Sequence, residues 1–232
     1  MYTAEIKATY TWNHSYIYAT GADSVYLLIE WNASEMSLNG TKLVSKRCAR
    51  NVELNIWLEP GIKVVRTYGC EGNMGSPHSS LILPLGHLYT DMKQCVVIEC
   101  SFKPHSACKR PVLSVQWRYK GSNSEKMKEQ AVEEIFMNYT YNLGLLQKIG
   151  NFKVEKQVKL LKTSIIMREA IEIFELGDTE HAEFILRREG DELLLCAVQS
   201  GDLRLMEEAE KMYRIIELYG DTSRCCTRRI CE

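Results

Sequence analysis

The stretch NVELNIWLEPGIKVVRTYG at 51–69 constrains the fold more than any other part of the chain. Val52, Leu54, Ile56 and Leu58 alternate with Glu53, Asn55 and Trp57, which is the period of a strand with one buried face. Glu59-Pro60-Gly61 then breaks the run, because proline fixes φ at a turn corner and glycine tolerates the positive φ beyond it. Ile62, Val64 and Val65 restart the apolar pattern on the far side. Such a sequence requires a sheet around it and an apolar layer against one face. It carries no chemistry of its own.

The same pattern recurs on either side. Ile6, Ala8, Tyr10 and Trp12 alternate with polar neighbours, and VYLLIEW at 25–31 reads as a second, more buried strand able to pair with the first. Short strand patterns return at 79–83, 94–102 and 112–119, where Leu113, Val115, Trp117 and Tyr119 share one face. Residues 128–139 read as a final strand. Strands separated by Gly, Pro and Asp at this spacing predict an antiparallel sandwich. Between the early strands, 32–50 is a mixed polar connection with Asn39-Gly40 as its turn signal.

Past Gly150 the composition shifts to Leu, Ile, Glu, Lys and Arg without proline, and the period becomes helical. Three helices are predicted, at about 154–176, 179–200 and 203–218, separated by Gly177-Asp178 and Gly201-Asp202, in which glycine ends one helix and aspartate caps the next. The expected fold class is therefore α+β: an antiparallel β-sandwich over 1–140, a C-terminal three-helix bundle over 151–219, and a flexible tail at 220–232.

Charge narrows the choice of partners. Lys plus Arg at 29 against Asp plus Glu at 30 leave a net charge of −1, so no bulk field favours nucleic acid or a membrane surface. No apolar run approaches the ~20 residues of a spanning helix, and the start of the chain has no basic and apolar leader pattern. The nine cysteines are irregularly spread, which fits reduced thiols and a cytoplasmic setting better than a disulfide framework. Four glycosylation sequons, at Asn13, Asn32, Asn39 and Asn138, matter only on a secretory route that nothing else in the sequence indicates.

Glu30, Asn32 and Ser34 are the strongest candidate for a metal site. They leave a buried strand at alternate positions and form a degenerate D-x-S-x-S, the pattern in which a carboxylate and two hydroxyls hold Mg²⁺. No alternation of strands and helices comes after it to build the parallel sheet that such a loop needs. Cys95 and Cys100 are five apart on a strand and so face opposite sides, which denies them one ion; with Cys108 they read as small core residues. Cys225, Cys226 and Cys231 form a basic thiol cluster without histidine, read as an unstructured end. His14, His78, His87, His105 and His181 occur singly, outside any triad or zinc-helix spacing. Trp12, Trp31, Trp57 and Trp117 would stack bases or sugars if exposed, but three of them lie on strands whose inward face needs large residues, so core packing is the preferred reading. No catalytic residue, cofactor or metal ligand is assigned.

Several runs, namely IKATYTWNHSYIY, VYLLIEW, NVELNIWLEPGIKVVRTYGC, LPLGHLY, VLSVQWRYKG and VEKQVKLLKTSIIMREAIEIFELGD, resemble a bacterial family of von Willebrand factor A (VWA) domain proteins. The likeness lies in the parts that flank the VWA domain. In that family the domain comes after the first two strands and opens with D-x-S-x-S. Here only 32–50 stands at that place, too short for the domain, so the resemblance implies a flanking scaffold without its metal-dependent site. It also implies that Val52 re-enters the sheet holding the elements before Asn32. The resulting expectation is a non-enzymatic, VWA-associated scaffold with a protein partner. The alternatives are a degenerate Mg²⁺ adhesion module at Glu30, Asn32 and Ser34, or an enzyme whose site forms only in three dimensions.

Overall fold

A computed structural model describes residues 5–34, 47–75, 79–89, 92–121, 124–146 and 150–228, with 5, 33, 34 and 220–228 by backbone alone. The chain divides into two units, 1–155 and 156–232. Among the described residues of the first, eleven strands form two sheets. Sheet A has the order β1 (Glu5–Trp12), β3 (Ala22–Ser34), β8 (Gln94–Phe102), β5 (Ile62–Tyr68), all antiparallel. Sheet B has the order β2 (Tyr16–Tyr18), β11 (Glu133–Thr140), β9 (Lys109–Gly121), β4 (Arg47–Leu58), β7 (Ser80–Tyr89), β6 (Asn73–Met74), with β10 (Met127–Glu129) also on β9. The expectation of wholly antiparallel pairing needs one correction, because β2 and β11 run parallel.

Alternation sets which side chains meet. In β4 the odd-phase Glu53 and Trp57 point outward, while Val52, Leu54 and Ile56 are buried, Leu54 opposite Trp117 and Ile56 opposite Val115 of β9. Sheet A contributes Leu27, Ile29, Val96 and Ile98 to the same core, and Trp31 meets Trp117 at 5.5 Å between ring centroids, joining the two sheets. Each fully buried Leu or Ile adds about 1.5–3 kcal/mol, so this sandwich-like core dominates the unit's stability.

The turn at Glu59-Pro60-Gly61 forms as its residues dictate. Ile62 N–H donates to the Glu59 carbonyl at 3.1 Å, and Gly61 carries φ 91°. The turn does not close a hairpin. Both edges of β4 are already occupied by β7 and β9, so β5 leaves for sheet A and pairs with β8. Pro60 and Gly61 make a corner between sheets.

The early pairing holds: β1 and β3 are antiparallel, Tyr10 opposite Ile29. Both elements bordering the polar connection extend further into it than periodicity indicates, β3 to Ser34 and β4 from Arg47. Three register shifts lie at 47–53 of the β4–β7 pairing, and Asn51 there adopts φ 50°. These bulges break the two-residue period, which is why the sequence looks unstructured before Val52. Sharing a sheet with what precedes Asn32 is true of β4 only with respect to β2, since β1 and β3 lie in the opposite sheet. The turn signal at Asn39-Gly40 lies outside the described residues.

The rest is helical: α1 (Leu143–Leu146), α2 (Phe152–Glu175), α3 (Thr179–Ser200) and α4 (Leu203–Arg228). Gly177, at φ 90°, donates to Phe174 O at 3.0 Å, and Asp178 N–H donates to Ile173 O at 3.2 Å, a Schellman ending for α2. Asp178 then caps α3 by accepting from His181 N at 3.2 Å. Gly201, at φ 68°, and Asp202, accepting from Arg204 N at 3.0 Å, repeat the device before α4. Within this unit Ala170 and Phe174 of α2, Leu186 and Leu193 of α3, and Leu205 and Met212 of α4 share one apolar core. Gly190 admits the ring of Tyr213, which a Cβ there would meet at 3.1 Å. No helix among the described residues is long and apolar enough to cross a membrane.

Candidate functional site

Glu30 lies in mid-strand on the outward face of sheet A, between Thr9 of β1 and Cys95 of β8. Its carboxylate already has partners. Lys153, in the first turn of α2, forms an ion pair with Oε2, and Thr9 Oγ1 donates to the same oxygen at 3.4 Å. Asn32 pairs with Lys7 and Ser34 with Glu5, all still within the antiparallel ladder. Oxygen ligands for Mg²⁺ converge where a chain leaves a strand end, whereas here the three positions run on along a paired strand beside an ammonium group. Among the described residues no group of three His, Cys, Asp or Glu side chains is placed to hold a metal ion.

The cysteines follow the strand phase. Cys100 is buried in the core, and burial, aided by Glu99, pushes its thiol up to about 12. Cys95 points to the other face; burial chiefly, then Glu30, raises its thiol, with Lys153 opposing. Cys108 departs from the core-residue expectation. It is exposed in the loop before β9, with Sγ 3.6 Å from His105 Nδ1. That imidazole nitrogen also lies 3.0 Å from the Ser106 carbonyl, which can only accept, so Nδ1 carries the proton. No disulfide joins the six cysteines whose side chains are described. Cys225 and Cys226 fall on the backbone of α4, while Cys231 lies outside the described residues, as does His78.

No histidine among the described residues hydrogen-bonds a carboxylate, so no acid–base dyad forms around one. His14 borders a shallow cleft of about 200 Å³ with Tyr16, Leu146 and Asn151. Its neighbour Asn13 is a structural latch: Asn13 Oδ1 accepts from Tyr26 N at 2.9 Å, and Asn13 O accepts from Asn151 N at 2.7 Å. At 6% exposure, Asn13 offers its sequon no accessible amide.

The four tryptophans separate by strand phase. Trp31 and Trp117 are buried, and half-buried Trp12 packs edge-on to Phe102 at 5.7 Å while donating to Phe136 O at 3.0 Å. Trp57 alone of the four points away from the core, 40% exposed on the outward face of sheet B. Across that face it stands between Ser80 of β7 and Ser114 of β9, and the next rank places Asn55 between Ile82 and Gln116. Asn55 is a buried polar residue, and its Oδ1 has no hydrogen-bond donor among the described residues. A dry, unpaired acceptor costs about 1–3 kcal/mol. One rank further, Arg118 pairs with Glu53 at 3.9 Å and with Glu129 at 3.0 Å, the latter an ion pair without a hydrogen bond. The two-residue period of 52–58 already assigns Trp57 to the outward face. The partners of Glu30 and the ladder neighbours of Asn55 come from distant parts of the chain, for which the sequence carries no local signal.

No family model matches the chain, and no curated protein does. Solved structures do. The structure described as von Willebrand factor type A from Catenulispora acidiphila superposes with a TM-score of 0.52 at 16% identity, over 72% of this chain and 39% of that one. VWA-type proteins are thus among its structural neighbours. The ArnB paralog VWA2 from Sulfolobus acidocaldarius gives 0.42 at 15% identity, over 75% of this chain and 42% of that one. A cohesin module from a Clostridium perfringens ATCC13124 family 33 glycoside hydrolase gives 0.36 at 7% identity, over 60% and 98%. Of these three, the first is similar enough to indicate a shared fold. The chain spans less than half the length of either VWA protein.

Proposed function

We propose that the chain is a non-enzymatic interaction module, a VWA-associated scaffold in which a mostly antiparallel β-sandwich and a three-helix bundle present surfaces to a protein partner without using a metal. The observation that carries this reading is the fold likeness to a VWA-type protein, combined with the engagement of Glu30 by Lys153 at the position where a degenerate metal motif would begin. A surface on α3 supports it. Phe184, Leu195 and Val198 are exposed at helical spacing, on the face opposite buried Leu186, Leu193 and Ala197, and such a stripe suits docking against another apolar surface. Six described cysteines without a disulfide between them support a reducing, cytoplasmic setting. The VWA domain of the family would stand between β3 and β4, where the intervening 35–46 lies outside the described residues.

The test is affinity capture by the full chain from a bacterial extract, followed by cross-linking and mass mapping, with EDTA present throughout. The reading requires a reproducible partner whose cross-links fall on α3 and whose capture drops at least tenfold with the paired substitution Phe184→Asp and Leu195→Asp. Capture that EDTA abolishes, or a reproducible catalytic turnover with no partner, would contradict it.

A further inference from the structure

We propose that the outward face of sheet B is a saccharide-binding surface for a neutral glycan chain, with the exposed ring of Trp57 as its platform and the Asn55 and Gln116 carboxamides as its hydrogen-bonding rank. Strands β7, β4 and β9 lie side by side here, with about 4.8 Å between neighbours. Ser80 and Ser114 flank Trp57, and such small side chains leave the indole uncrowded while placing a hydroxyl on either side of it. A pyranose ring has C–H groups on one face and hydroxyls around its rim. An indole face, with its negative quadrupole, takes the C–H groups, and carboxamides and serine hydroxyls both donate to and accept from the rim.

Asn55 supplies an independent observation. It is 8% exposed, in the middle of its rank, and its Oδ1 meets no donor among the described residues. A ligand hydroxyl pressed onto the rank supplies that donor as the exposed Ile82 side chain moves aside for it. Charge selects the class of ligand. Arg118 is the cation of these three ranks, and Glu53 and Glu129 already pair with it, so a phosphate backbone finds no unengaged positive charge. Because β4 is paired along both edges, a peptide cannot add to it as another strand.

The proposal stands apart from the α3 docking reading and is tested separately, by native affinity electrophoresis of the full chain in gels containing xyloglucan, galactomannan, mixed-linkage β-glucan or soluble starch. At least one polysaccharide is expected to retard the chain. Trp57→Ala should reduce that retardation tenfold or more, Gln116→Ala severalfold, and Trp57→Tyr should preserve most of it. The retarding polysaccharide should also shield tryptophan emission of the unsubstituted chain from iodide, since Trp31 and Trp117 are already inaccessible. Absence of retardation in all four gels overturns the proposal. So does retardation that Trp57→Ala leaves intact, or iodide quenching that the polysaccharide does not change.

Discussion

Asn51 and Tyr10 show what single positions contribute. Asn51 holds φ 50° where β4 bulges against β7, a conformation that asparagine and glycine accept and β-branched residues resist. Asn51→Gly should leave stability within about 0.5 kcal/mol, and Asn51→Val should lower it by about 1–2 kcal/mol, both read from urea unfolding midpoints. Tyr10 accepts the indole N–H of buried Trp117 at 2.8 Å. Tyr10→Phe leaves that donor dry and should cost about 1–3 kcal/mol at neutral pH. Burial, partly countered by the Trp117 hydrogen bond, pushes the Tyr10 phenol from 10.0 up to about 12. The neutral form is the one the fold favours. Its contribution is therefore complete below pH 10 and lost as pH rises toward 12, so the unsubstituted chain should lose stability across that window more steeply than Tyr10→Phe. Phase is legible at this scale: the alternation at 52–58 by itself places Trp57 outward and Leu54 inward. The hydrogen bond between Tyr10 and Trp117 is not, because it joins residues more than a hundred positions apart.

Among elements, the helices are the most legible. Gly177-Asp178 and Gly201-Asp202 act as the residue types require, each glycine taking the left-handed conformation and each aspartate capping the next helix. At both glycines an added Cβ would meet nothing within 4 Å, so the cost of a side chain comes from φ alone. Gly177→Ala and Gly201→Ala should each lower stability by about 1 kcal/mol, and Gly→Asn at the same positions by less, measured by thermal melts of the full chain. Strand limits are harder to read. The bulges around Asn51 hide the first half of β4, and the Pro60-Gly61 turn has the same local chemistry whether it closes a hairpin or turns a corner between sheets.

For the whole molecule, what the sequence withholds is the division of strands between sheets. β4 lies between β7 and β9, and β8 between β3 and β5, pairings that no local pattern encodes. The resemblance to VWA-flanking segments anticipates the type of structural neighbour, and the superposition at TM-score 0.52 supports a shared fold. It does not anticipate that β1 and β3 face β4 across the core. Nor does it anticipate Lys153, which reaches Glu30 from the start of α2 and changes the reading of the acidic motif. An ammonium beside a carboxylate occupies the charge a divalent cation would need, and the functional account rests on that pair. Titration of the full chain into Mn²⁺, followed by the electron paramagnetic resonance signal of the free aqua ion, tests it most directly. The account predicts a signal undiminished at equimolar protein; a saturable loss of signal that Glu30→Ala restores would contradict it.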